Sequence, residues 1–223
     1  MVVGSNGAIG SALVRALQAD PRCAQVYALC RRSAPAVDVT DEGSVAAAAA
    51  EVAGDGPLQL VLCATGALHI AGQPPEKRLG ELDPATMARA FALNTIGPAL
   101  VVKHFHPLLA RHERSLLGVL SARVGSIGDN RLGGWYSYRA SKAALNQLVH
   151  TSAIEVARQR PRAVLVALHP GTVASALSAA IIGDAEAATP EQAAVHLLKV
   201  LDDLPAEGAS GGFYAWDGQP IVW

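Results

Sequence analysis

The amino-acid sequence predicts an α/β fold, in which a doubly wound parallel sheet carries helices on both faces, as a single domain over residues 1–223. Two observations support this prediction. Short apolar runs without polar alternation, typical of buried parallel strands, alternate with longer helical patterns. A glycine-rich turn follows the first of these runs. The runs expected as strands are 1–3, 25–30, 58–63, 116–120, 163–168 and, more weakly, 212–216; the helical patterns cover roughly 8–19, 41–53, 84–112, 137–159 and 190–203.

The composition excludes several classes of protein. Hydrophobic residues make up 51% of the 223 residues and charged residues 17%, which excludes a disordered chain. A net charge of −1 argues against a nucleic-acid partner, because phosphate contacts need a basic face. Three cysteines without a CxxC pair imply neither a disulfide framework nor a metal site. No apolar run reaches the roughly 18 residues of a membrane span, so we expect a cytoplasmic protein with no membrane partner.

The glycine-rich turn lies between the very short first strand and the first helix. Glycines stand at positions 4, 7 and 10, in the order GxxGxxG. Without Cβ atoms the backbone can turn tightly and approach a pyrophosphate, whose charge then meets the helix N-terminus. This placement predicts a dinucleotide site of the Rossmann type, with Gly4, Asn6, Gly7 and Ile9 as contacts.

The second strand ends in Arg31 and Arg32, where an NAD-binding fold usually has an acidic residue for the ribose 2′-hydroxyl. Two arginines suit a 2′-phosphate. The sequence therefore favours NADP(H) over NAD(H). The alternative is that both arginines are a solvated strand end.

Tyr138 and Lys142 are four residues apart in a strongly helical stretch, so both lie on one helix face. A phenol titrates near pH 10 and is a poor base at neutrality. A neighbouring ammonium is expected to stabilise the phenolate and lower its pKa, which makes proton exchange with a substrate oxygen feasible. The alternative is an ordinary solvent-facing pair.

Several motifs in this order resemble the short-chain dehydrogenase/reductase family. They are the glycine turn, Asp38-Val39 after an expected third strand, Ala64-Thr65-Gly66 after a fourth, Asn94, the Tyr138-x-x-x-Lys142 pair and the stretch from Pro170 through Gly171 to Val173. The stretch 120–138 is most similar to the C-factor-like and sniffer-like carbonyl reductases. The matches cover nearly the whole chain.

The resemblance implies a role for each of these residues. Tyr138 would be the proton donor or acceptor, and Lys142 would lower its pKa and hold the nicotinamide ribose. Asn94 would bind a water of the proton relay; the alternative is an amide satisfied by neighbouring backbone. The remaining matches would lie against the cofactor. Asp38 and Val39 would meet the adenine, and Pro170, Gly171 and Val173 would flank the nicotinamide. The turn Ala64, Thr65 and Gly66 would let the chain pass close to the cofactor.

The sequence departs from the family pattern at its serine. The family's serine usually stands thirteen residues before the tyrosine, at what is here Gly125; aligned on the strand end, its place is Ala122. Because successive strand side chains alternate between faces, Ser121 is expected to face away from the substrate. We therefore choose Ser126 as the donor, with Ser121 as the other possibility. The glycine spacing also differs from the usual GxxxGxG, and Thr65 replaces a smaller residue.

The expected function is an NADP(H)-dependent oxidoreductase that transfers a hydride between nicotinamide and a carbonyl or secondary alcohol. The alternative is a cofactor-binding signalling or sensor protein with little turnover. The resemblance also implies a mobile lid over 174–188 and a homodimer or homotetramer. Apolar residues around the helices near 84–112 and 137–159 agree with subunit contacts, although burial against the sheet explains them equally.

Overall fold

The computed structural model describes residues 1–174, 187–205 and 207–223. Its centre is a parallel sheet of six strands in the order β2-β1-β3-β4-β5-β6. The strands are β1 (Val2–Val3), β2 (Ala28–Leu29), β3 (Leu60–Cys63), β4 (Ser115–Leu120), β5 (Ala163–His169) and β6 (Phe213–Ala215). The predicted doubly wound sheet is confirmed.

Within the described residues, six α-helices connect the strands: α1 (Ala8–Ala19), α2 (Glu42–Val52), α3 (Pro84–Phe91), α4 (Gly97–Phe105), α5 (Tyr136–Gln159) and α6 (Pro190–Asp203). Local chemistry sets several of their starts. The Asp83 carboxylate accepts the N–H of Thr86 at 2.7 Å and caps α3. Thr189 and Gln192 form a reciprocal capping box at the start of α6, with Pro190 in the first turn.

Two apolar clusters cover the two faces of the sheet. Helices α1 and α6 pack on one face, and α2, α4 and α5 pack on the other. Neighbouring residues of β5 divide between the clusters, with Val164 and Val166 on one side and Leu165 on the other. Burial on both faces explains why the strands read as continuous apolar runs.

The helical region between α3 and α4 is not uniform. A π-helical turn, Ala92–Ile96, joins the two helices, and a 3₁₀ turn follows at His106–Leu108. The combined segment Pro84–Leu108 is, by length and composition, able to cross a membrane, so the expectation that no such segment exists is wrong on those two criteria. In the fold this segment packs Val101 and Phe105 into the core, and core helices meet the same two criteria.

Two further expectations change. No strand occurs at residues 30–41 among the described residues, so Asp38 does not follow a third strand and the turn at Ala64 follows β3. The apolar residues Val101, Val102, Leu145 and Val149 are buried within the chain itself, so their pattern alone needs no second subunit.

Candidate active site

Two connected cavities lie along the carboxyl edge of the sheet, where the strand order reverses between β1 and β3. Their volumes are about 360 Å³ and 390 Å³, and both are lined by Asn6, Gly7, Ala64, Thr65 and Gly66. We call the first the outer cavity and the second the inner cavity. In open α/β sheets such a crevice, at a reversal of strand order, is where ligands bind.

The three positions of the turn after β1 that hold glycine differ in whether the surrounding structure would accept a side chain. Gly4 has φ +88°, and a Cβ there would lie 2.8 Å from the carbonyl oxygen of Ala64. A Cβ on Gly10 would lie 2.1 Å from the carbonyl oxygen of Gly4. Both glycines are therefore required by the packing of the turn.

Gly7 is not required by the protein's own packing. Its φ is −74°, and the nearest atom to a Cβ built there is 3.4 Å away, so the chain itself would accept a side chain. Gly7 lines both cavities and is the N-cap of α1, where no side chain caps the first N–H groups. A small residue beside unpaired helix N–H groups fits a closely approaching phosphate.

The outer cavity gathers most of the residues predicted to hold the adenosine end. Arg31, Asp38 and Val39 all line it, together with Gly4. Hydrogen bonds from the side chain and backbone of Thr40, and then the charge of Arg31, hold the pKa of Asp38 below its usual value. Arg32 is exposed and is not among the residues that line this cavity; its backbone N–H points to the Cys30 sulfur.

The inner cavity ends on the predicted catalytic pair. Tyr138 and Lys142 come from the first two turns of α5, and both line this cavity together with Ile9 and Pro170. Lys142 is 3% exposed, and its Nζ donates to the carbonyl oxygen of Leu120 at 2.9 Å. Burial lowers the pKa of Lys142 to about 8.

The pKa of Tyr138 moves in the opposite direction from the sequence prediction. Burial raises it to about 12, because a phenolate in this environment loses its solvation. The expected lowering by Lys142 is wrong for this structure, in which the lysine donates to Leu120.

Asn94 lies in the π-helical turn and is completely buried. Its Oδ1 accepts the N–H of Ala67 at 2.7 Å, and its Nδ2 donates to the carbonyl oxygen of Ala67 at 2.9 Å and to Ser141 Oγ at 3.2 Å. The backbone bonds match the alternative interpretation, that of an amide satisfied by neighbouring backbone. The water-binding role of Asn94 stays a prediction.

The two candidate serines are placed differently. Ser121 lines the inner cavity with Tyr138, which contradicts the expectation that it faces away from the substrate, and its hydroxyl donates to Asn146 Oδ1 at 2.6 Å. The strand β4 ends at Leu120, so alternation does not continue through Ser121. Ser126 is 1% exposed, and its Oγ accepts the N–H of Asp129 at 3.0 Å.

The turn after β3 brings the two halves of the site together. Gly66 has φ +149°, and a Cβ there would lie 3.2 Å from both Asn94 Oδ1 and Lys142 Nζ. The Thr65 hydroxyl lies 3.2 Å from the sulfur of buried Cys63, so the larger side chain is accommodated by a polar contact inside the turn.

The turn after β5 closes the inner cavity. Gly171 has φ +78°, and a Cβ there would lie 2.9 Å from Trp216 Cδ1, so the indole packs directly on this turn. Val173 is buried and bridges to Ala188. Most of the predicted lid, residues 175–186, lies outside the described residues.

Two residues beside the tyrosine were missed by the sequence reasoning. Glu76 is buried against the start of α5, and Arg139 reaches back to the loop before that helix. From the sequence alone, Glu76 follows two prolines and Arg139 lies in a helical pattern, and both would be expected to be exposed. Their only signal is contact in three dimensions.

The fold, with this cleft at the reversal of strand order, is that of the doubly wound α/β oxidoreductases. A family model described as enoyl-(acyl carrier protein) reductase matches residues 8–203. The chain belongs to the short-chain dehydrogenase/reductase family and is an oxidoreductase of that family, as the resemblance implied.

Individual relatives agree with this assignment. A 1-hydroxy-2-glutathionyl-2-methyl-3-butene dehydrogenase from Rhodococcus sp. (strain AD45) is 38% identical over 189 residues, covering 85% of this chain and 79% of the relative. The C-signal protein of Myxococcus xanthus is 36% identical over 147 residues, covering 65% and 83%. An NADPH-bound carbonyl reductase from chicken fatty liver superposes with a TM-score of 0.87 at 26% identity, covering 100% and 98%.

Proposed function

We propose that this chain is an NADP(H)-dependent oxidoreductase that interconverts a carbonyl compound and a secondary alcohol. The observation that carries the proposal is the continuous cleft, which begins at Arg31 and ends on the half-buried Tyr138 and the buried Lys142. A structural neighbour with bound NADPH supports the choice of cofactor. Its title names a carbonyl reductase, and the relative from Rhodococcus is named a dehydrogenase, which supports the class of reaction.

The residues of the cleft fit such a cofactor. Gly7 leaves room for a phosphate at the start of α1, and Asn6 and Ile9 line the wall beside it. Asp38 and Val39 border the adenosine end, while Pro170 borders the nicotinamide end. When bound, the cofactor supplies or accepts the hydride.

Tyr138 is proposed to exchange a proton with the substrate oxygen. Because burial disfavours the phenolate, the phenol keeps its proton at neutral pH and holds the proton that carbonyl reduction requires. Lys142, which is buried beside Tyr138 at the end of the cleft, is proposed to hold the nicotinamide ribose. Asn94 holds the Ala67 turn at the cavity wall and is proposed to continue the relay toward solvent.

The substrate oxygen needs a second hydrogen-bond donor. Ser126 remains the candidate that the sequence favoured, and Ser121 has the better placement because it lines the cavity with Tyr138. Ser121→Ala and Ser126→Ala distinguish the two candidates. Replacing the residue that is the donor should lower kcat roughly 10²- to 10³-fold. If both variants turn over like the parent enzyme, neither serine is the donor.

Cofactor preference is proposed to depend on Arg31 and Arg32. We expect Arg31→Ala to weaken NADPH binding at least tenfold and to change NADH binding by less than twofold, because only NADPH carries the 2′-phosphate. Fluorescence titration with each cofactor measures this. Equal losses for both cofactors would contradict the phosphate assignment.

The test of the whole proposal is the Tyr138→Phe variant. We expect it to bind NADPH as the parent does and to lose at least roughly 10²-fold in carbonyl reduction, because the proton donor is gone. Tyr136→Phe, which removes the same hydroxyl from a tyrosine on the same turn, serves as the control. Full turnover by Tyr138→Phe would overturn the mechanism.

A cofactor-binding signalling protein is the second candidate. It is favoured by alanine at position 122 and by the relative named C-signal. A signalling protein should keep its biological effect in Tyr138→Phe, whereas an enzyme should lose its turnover.

A further inference from the structure

The first turn of α5 is tied to the loop that follows β3. Glu76, in that loop, is 7% exposed; among the described residues only it and Lys142 are buried charged side chains. Its carboxylate accepts the N–H of Ser137 at 3.1 Å and also the Ser137 hydroxyl. A carboxylate at a helix N-terminus is stabilised by the unpaired N–H groups there, so Glu76 caps the helix that carries Tyr138.

The same turn is tied to the loop that follows β4. The Nε of Arg139 donates to the carbonyl oxygens of Gly133 and Gly134, at 3.2 Å and 3.0 Å, and its Nη1 donates to that of Val124 at 3.3 Å. One guanidinium therefore holds both ends of the loop between β4 and α5. A planar fork of donors makes such a set of bonds possible, which a lysine cannot reproduce.

Backbone strain lies between these two contacts. Gly133, Gly134 and Trp135 all have positive φ, and Trp135, at +54°, has a bulky side chain in this region. For a residue with a bulky side chain such a conformation is unfavourable, and it persists only where the surroundings hold it. The carbonyl oxygen of Glu76 accepts the N–H of Trp135, and the indole packs edge-on against the Tyr138 ring with centroids 6.3 Å apart.

We propose that Glu76 and Arg139 are positioning residues that clamp the start of α5 and so fix Tyr138 relative to both loops bordering the substrate. The proposal rests on the proposed function, in which Tyr138 is the proton donor. Neither residue lines the outer or the inner cavity, so the clamp acts on the tyrosine and the substrate loops and leaves the cofactor contacts unchanged. Glu76 and Tyr138 instead share a small cavity between the β3 loop and α5.

The test compares Glu76→Gln and Arg139→Gln with matched controls. Glu81→Gln is the control for the acid, because Glu81 accepts backbone N–H groups of the same loop without reaching α5. Arg160→Gln is the control for the arginine, because Arg160 likewise donates to two backbone carbonyls, those of His106 and Pro107. Ser137→Ala is a milder variant, which removes the hydroxyl bond to Glu76 and keeps the N–H bond.

We expect kcat of Glu76→Gln and Arg139→Gln to fall roughly 10- to 100-fold, since small misplacement of a catalytic group has effects of this size. The Kd for NADPH should stay within twofold of the parent value, and both controls should match the parent. Arg139→Lys should fail to restore kcat. Values of kcat within twofold of the controls, or an equal loss in NADPH binding, would overturn the clamp.

Hydrogen–deuterium exchange supplies a readout that needs no turnover. In both clamp variants, peptides over 123–142 should exchange at least tenfold faster, and peptides over α1 should not change. If no carbonyl substrate is turned over by any variant, the proposed function fails while this measurement still decides the clamp. If Glu76→Gln does not fold, Ser137→Ala should show the same pattern with smaller amplitude, and unchanged exchange there would contradict the clamp.

Discussion

At the scale of single residues, the position of the substrate-oxygen donor depends on which residues can accept a side chain. A Cβ on Gly125 would lie 2.8 Å from the backbone carbonyl carbon of Lys142, so the loop after β4 packs directly on the catalytic helix there. The spacing of thirteen residues before Tyr138 therefore leads to a place where a serine side chain would be overpacked against α5. Ala122, half-buried at the end of β4, is the place that the strand-end alignment selects.

This difference leads to a paired prediction. We expect Ala122→Ser to fold like the parent and to raise kcat for carbonyl reduction by up to roughly 100-fold, because it puts a hydroxyl at the place that the strand-end alignment gives to the family's serine. Gly125→Ser should instead lower the free energy of unfolding by roughly 1–3 kcal/mol through overpacking. Urea denaturation and steady-state kinetics measure both. A stable, more active Gly125→Ser would reverse the assignment.

At the scale of elements, the π-helical turn between α3 and α4 places the side chain of Asn94 against the turn that lines the candidate active site. The extra residue in this turn interrupts the α-helical bonding and presents Asn94 to the backbone of Ala67. Such turns often occur where function requires a side chain off the regular helix register. The next residue, Thr95, donates from its hydroxyl to the carbonyl oxygen of Ser141 at 2.7 Å and fastens the same turn to α5.

Replacing Asn94 by alanine should destabilise the fold and disable the site. Its loss leaves two backbone groups of half-buried Ala67 without their side-chain partner, at about 1 kcal/mol for each lost hydrogen bond. We expect a lower free energy of unfolding in urea and a loss of turnover. Thr95→Val is the control: it should cost about 1 kcal/mol and keep turnover. Equal kinetic losses in the two variants would mean that Asn94 acts only through stability.

At the scale of the whole molecule, the helices with a regular apolar period could be predicted from the sequence, and the contacts between residues far apart in the chain could not. The helical patterns at 8–19 and 190–203 match α1 and α6, because burial of one face imposes a helical period on the sequence. The run 25–30 forms only the two-residue β2, since that strand lies at the sheet edge with one neighbour. The contact of Glu76 with Ser137 joins positions 61 residues apart, and no local pattern predicts it.

A buried histidine should make the stability of the molecule depend on pH. Burial, and then the charge of Arg123, lowers the pKa of His169 to about 4, and its Nδ1 has no hydrogen-bond partner. Between pH 4 and 6.5 the unfolded chain binds more protons at this site than the folded chain. Stability is therefore lost as the pH falls through that window.

We expect the free energy of unfolding to fall by about 2 kcal/mol from pH 6.5 to 5 because of this group. Urea denaturation at the two pH values measures the change. His169→Gln should reduce that dependence, whereas replacing exposed His112 by glutamine should leave it intact. The same slope in His169→Gln and the parent would contradict the assignment.

The three tryptophans of this chain contact three different segments around the cleft. Trp135 packs against Tyr138, Trp216 lies on the Gly171 turn, and Trp223 contacts the loop after β4 through its carbonyl oxygen. Indole emission overlaps the absorption of a reduced nicotinamide. Variants that keep one tryptophan at a time would therefore report separately, by quenching and energy transfer, on the proton donor, the nicotinamide turn and the substrate loop as each ligand binds.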